Sequence, residues 1–179
     1  MMRILLVLAV PAVVMLVACG KAAETAAEKV IEAQVSKDGT QAKVDMSGGG
    51  MKITTTDASG KTSQMEMGTA KVSEADVGLP FYPGTQPREG EATKITTPEG
   101  SMITVILHSN DAPDKVAGFY REKLKAGSQG KQFTDMSGAD SHTLMLGDDK
   151  SKQFTQVTVS KNDRQGSDIQ IMANKGTPR

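Results

Sequence analysis

Residues 101–124 read SMITVILHSNDAPDKVAGFYREKL, and the change of period inside that stretch decides the fold. From Met102 to Leu107 the chain is apolar at both alternating positions apart from Thr104, which predicts a central strand covered on two sides. Ser109-Asn110-Asp111-Ala112-Pro113 then breaks the run. Asp111 is expected as the N-cap of a helix, with Pro113 in its first turn and Asp114 three residues after the cap. Val116, Phe119, Tyr120 and Leu124 recur at helical spacing until Ala126-Gly127 stops the helix, and this apolar side is expected to lie on the sheet.

Working outward, residues 91–97 read as a strand that turns across Pro98-Glu99-Gly100 into the central one. Residues 131–136, 141–146, 153–160 and 167–173 read as four more, with period-two alternation clearest at Thr155, Val157 and Val159 and at Ile169 and Ile171. Short polar turns between them imply an antiparallel meander. The fold class expected is α+β: an antiparallel sheet with one packed helix, ββαββββ, over residues 78–175, followed by a frayed tail at 176–179. The domain opens at Leu79-Pro80-Phe81-Tyr82-Pro83-Gly84-Thr85, where Pro80, Pro83 and Pro87 exclude a helix and Pro83-Gly84 favours a turn. Phe81 and Tyr82 are expected to pin the chain to its core rather than to line a ligand groove.

Upstream, residues 21–35 are rich in Ala and Glu and predict a helix with a thin apolar stripe, part of a tether over residues 19–40. Residues 41–77 are expected to be a small β-hairpin module and a linker. Its loop Ala58-Ser59-Gly60 places Gly60 where positive φ is needed and pairs Asp57 with Lys61. Met51 then faces Met67, Ile53 faces Met65, and Lys52 lies opposite Glu66 on the other side.

The N-terminus reads differently. Met1-Met2-Arg3 is a short cationic start, Ile4 to Val17 carries no charge, and Pro11 interrupts a run too short for a bilayer-spanning helix. Leu16-Val17-Ala18-Cys19 resembles the lipobox of bacterial lipoproteins. That resemblance implies a signal peptide over 1–18, cut before Cys19, whose sulfur then carries a diacylglyceryl group and whose new amino terminus is acylated. It further implies a partner in the lipid bilayer, reached through Cys19. Gly20, standing where the family's inner-membrane retention signal has Asp, implies the outer membrane, periplasmic side, in a host that has one. Two or three acyl chains at about 0.8 kcal/mol per buried methylene hold such a protein at a membrane surface.

The chain has 179 residues, room for one or two small domains. Its 21 basic and 21 acidic side chains cancel, and its six aromatics are scattered, which argues against nucleic acid as a partner. One Cys and two His exclude disulfide frameworks and the usual zinc constellations.

Chemistry is sparse. His108 and His142 both stand at strand ends and could approach each other with Asp111 or Asp140 near, a candidate set for binding a metal or for acid-base work in a hydrolase. Met46, Met51, Met65 and Met67 form a candidate thioether set for Cu(I), against the plainer expectation that they fill a core layer. No nucleophile elbow, phosphate loop or dinucleotide fingerprint occurs in the sequence, and no catalytic residue, metal ligand or cofactor is assigned.

Between Leu79 and Ala126, the opening Leu-Pro-Phe-Tyr-Pro-Gly-Thr, the central strand, the Asp111-Ala112-Pro113 cap and Phe119-Tyr120-Arg121 resemble a loosely defined group of bacterial envelope lipoproteins with YPG and FYR motifs. The resemblance implies a fold and supplies no catalytic residues. The function expected is therefore a membrane-anchored cell-envelope lipoprotein, a non-enzymatic interaction or accessory module with a protein partner in the envelope. A periplasm-facing binder of a small ligand or Cu(I) is the alternative, and a His-dependent hydrolase a third reading.

Overall fold

The structure, a computed structural model, describes residues 21–36, 39–148, 150–164 and 166–176, so the expected leader at 1–18 and Cys19 lie outside the described residues. In chain order come α1 (Lys21–Val35), β1 (Gln41–Asp45), a 3-10 turn (Ser47–Gly49), β2 (Met51–Thr56) and β3 (Thr62–Met67). Then follow α2 (Glu74–Val77), β4 (Ala92–Thr97), β5 (Gly100–Ser109), α3 (Pro113–Ala126), β6 (Gln132–Ser137), β7 (Ser141–Asp148), β8 (Gln153–Lys161) and β9 (Ser167–Gly176). The fold is α+β, with one open antiparallel sheet of nine strands ordered β1-β2-β3-β4-β5-β9-β8-β7-β6.

The hairpin has the register expected of its loop, with Met51 opposite Met67, Ile53 opposite Met65 and Lys52 opposite Glu66. Asp57 N–H donates to the Lys61 carbonyl at 3.0 Å, Gly60 sits at φ +82°, and Lys52 and Glu66 form an ion pair at 3.1 Å. β3 goes on to pair with β4, Met65 beside Ile95 and Met67 beside Thr93, so the hairpin continues the sheet of the following domain.

The core lies on one face of that sheet. Ile103, Val105 and Leu107 of β5, Ile169 and Ile171 of β9, Val157 and Val159 of β8 and Leu144 of β7 are all buried there. α3 covers them with Val116, Ala117, Tyr120 and Leu124, each large side chain contributing about 1.5 to 3 kcal/mol on full burial. Tyr82 also joins this core, its ring edge-on to Phe119 at 5.3 Å, so the opening segment pins the chain as expected.

Two expectations need correction. β5 is covered on one side only: Met102 is 38% exposed, and Thr104 and Ile106 are half-buried. The apolar residues on its second face lie between the side chains of β4 and β9, and no packed helix was needed to place them there. Asp111 is also not the N-cap. That position falls to Ala112, which offers no side-chain cap, because Pro113 opens the helix one residue later than the acidic spacing suggests. The Asp111 carboxylate instead accepts from the Tyr82 hydroxyl at 2.6 Å and from Lys115 at 3.0 Å.

The linker expected before Leu79 contains α2. Ser73 and Asp76 form a reciprocal capping box there, and Val77 beyond it is fully buried. The Ser73 hydroxyl and N–H, with Lys94 behind them, pull the Asp76 carboxyl down to about 2.

α1 runs along the outer edge of β1. The backbone N–H groups of Met46 and Val44 donate to Glu28 and Glu32 at 2.8 Å each, and that of Ala42 to the Ser36 hydroxyl at 2.9 Å. The spacing has a simple cause. Four helical residues advance about 6 Å and two strand residues about 6.8 Å, so acceptors at every fourth helix position meet every second amide. A sheet edge that would otherwise present open donors is thereby closed. Among the described residues, no helix is long and apolar enough to cross a membrane.

Candidate functional site

The end of the sheet where β5 stops and β9 starts carries a polar cleft of about 650 Å³. Three segments wall it: the Pro83-Gly84-Thr85 turn, the end of β5 from His108 to Asp111, and the β8–β9 turn from Lys161 to Arg164. The first is held by Thr85, whose N–H and hydroxyl both donate to the Tyr82 carbonyl, at 3.0 and 2.7 Å. The last is shaped by Asn162, whose side-chain oxygen accepts from Arg164 N–H at 3.0 Å and Gly166 N–H at 2.9 Å. Gly166 approaches the end of β5 so closely that a Cβ there would stand 2.1 Å from the Ser109 carbonyl oxygen, so a larger residue would push the turn off its wall.

His108 sits at the base of the cleft and joins three strands. Its Nδ1 is 2.8 Å from Asp168 of β9 and its Nε2 is 2.5 Å from Glu91, just ahead of β4. Two carboxylates facing both ring nitrogens call for a proton on each, and hydrogen bonding, to Glu91 first and Asp168 second, raises the imidazole above its ordinary value. Asp168 also accepts from the Asn162 amide at 3.2 Å. On the other wall, burial and the Asp111 carboxylate push the Tyr82 hydroxyl up to about 12, so it remains a donor.

The carboxylates of Asp111 and Asp168 are thus engaged, while the side chains of Arg88, Lys161 and Arg164 reach the cleft with no hydrogen bond or ion pair among the described residues. Such a cleft can hold a small polar ligand by its free donors.

The two histidines are not brought together. His142 is on β7, on the core face, 6% exposed, with Nε2 3.0 Å from Asp114 and Nδ1 buried without a partner. Three strand spacings, about 14 Å, and the thickness of the sheet separate it from His108. The expected neighbours of His108, Asp111 and Asp140, give way to Glu91 and Asp168. The two-residue turn at Pro98-Glu99 implies the approach of Glu91, since it sets the register that carries Glu91 back beside Ile106. Asp168 carries no such local signal, because β5 and β9 meet only through the tertiary fold.

The methionine set is partly assembled. Met51 faces Met67 across β2 and β3, Met65 lies two residues along on the same side, and all three are half-buried; Met46 follows β1 at that end. Their side is the one opposite α3. Cys19, the lipidation candidate, lies outside the described residues. No family model, curated protein or solved structure matches the chain.

Proposed function

We propose that the chain is a lipid-anchored cell-envelope protein, held at the membrane through Cys19, whose sheet domain is a non-enzymatic binding module. The state of His108 carries the second half of this reading. An imidazole with both nitrogens committed to carboxylates is cationic and acts as a clasp between β4, β5 and β9, whereas a general base needs one nitrogen free for a substrate proton. The cleft it closes supports recognition of a polar ligand or peptide by Arg88, Lys161 and Arg164. The lipobox resemblance at Leu16-Val17-Ala18-Cys19 supports the anchor, and α1 starts only two residues beyond Cys19, at the end of the sheet that also carries the cleft.

Replacing Cys19→Ser tests the anchor. The variant is expected to leave the membrane fraction or to retain its leader, and a variant that fractionates and migrates like wild type would refute it. Crosslinking in intact cells tests the binding module, which fails if no partner is recovered reproducibly.

A second reading follows from Met51, Met65 and Met67 sharing one side of the hairpin, where three thioethers suit Cu(I). A Cu(I) titration in which Met65→Leu with Met67→Leu binds as well as wild type would eliminate it.

A further inference from the structure

The two faces of the sheet differ in charge. Strand alternation and the pairing registers place Lys43, Lys52, Glu66, Lys94 and Asp135 on the face shared with α3. The strands of the opposite face carry two charged side chains, His108 and Asp168, at one end, where Glu91 just ahead of β4 also meets His108, and no others. Seven methionines lie on it instead: Met51, Met65, Met67, Met102, Met136, Met145 and Met172. α2 and α3 both pack on the other side, as Val77 and Val116 in the core with Ile103 and Ile171 show.

We infer that this nearly uncharged face docks a second copy of the chain, sheet against sheet. A twofold interface sets a surface against itself, so any unbalanced charge on it meets its like; a face this nearly free of charge has no such penalty. Leaving out β1, whose Val44 on this face is already buried, eight strands span about 34 Å across and about 20 Å along, roughly 700 Å². That is about the area each partner buries in a standard stable interface. Methionine is enriched and charge depleted at the centres of such interfaces, and flexible thioethers repack readily against their own kind. β5 is the fifth of the nine strands, so a twofold axis through the middle of the face passes close to Thr104.

The inference does not depend on the lipid anchor and is tested apart from it, on the whole chain in cells, in whichever fraction holds it. Thr104→Cys and, separately, Met102→Cys are treated with a short bis-maleimide, with wild type and Lys52→Cys on the opposite face as references. Both face variants are expected to give a band at twice the monomer mass that the references lack, and adding Gln170→Glu, an exposed position beside Ile106, is expected to abolish it. Absence of the doubled band from both face variants, an equal band from Lys52→Cys, or a crosslink to a different protein or to lipid alone would overturn the proposal.

Discussion

At the scale of single residues, the clasp at His108 makes the stability of the fold depend on pH in a stated direction. Its folded-state value is raised by Glu91 and Asp168, so the stabilisation is fully present below the ordinary histidine value of about 6.5 and is lost as pH rises through the higher folded value. Urea unfolding of wild type should therefore show stability falling from pH 6 to pH 9, and His108→Asn should flatten that fall. Equal slopes for the two proteins would show that the imidazole does not titrate between those carboxylates. At pH 6, removing a partly exposed imidazole with two charged hydrogen bonds should cost about 1 to 2 kcal/mol. Of this arrangement the sequence displayed His108 and its place at a strand end. The approach of Asp168 depends on a contact sixty residues distant, which no local pattern encodes.

At the scale of elements, α1 is held to β1 by side chains that act as surrogate strand carbonyls. Replacing Glu28→Ala and Glu32→Ala together should leave the amides of Val44 and Met46 without their acceptors while sparing the core strands. Each lost bond is worth about 1 kcal/mol, about fivefold in hydrogen exchange at its amide and about thirtyfold where both bonds open together. Protection of β5 amides should be unchanged, and unaltered exchange at Val44 and Met46 would contradict the pairing. Elements with strong local signals were legible in the sequence: the hairpin register follows from one glycine loop, and α3 from four apolar residues at helical spacing. α2 is not legible in the sequence although Ser73 and Asp76 have capping-box spacing, because four residues give too little periodicity to stand out from a linker.

At the scale of the whole molecule, the antiparallel class was readable because from β4 onward every connection but the helix is short. The joining of hairpin to main sheet and the one-sided burial of β5 were not, since both depend on which strand edges and faces meet. What the fold offers is a closed edge at β1, a polar cleft where β5 meets β9, and a broad face with charge at one end only, on a chain whose proposed anchor, Cys19, precedes α1 by two residues. Under the proposed function these parts serve a protein that works by being held in place and binding. The intact mass of the chain extracted from its native membranes tests this most directly. The account predicts a chain beginning at Cys19 and heavier than residues 19–179 by a diacylglyceryl group and an amide-linked acyl chain. A mass equal to the unmodified chain, with or without residues 1–18, would contradict it.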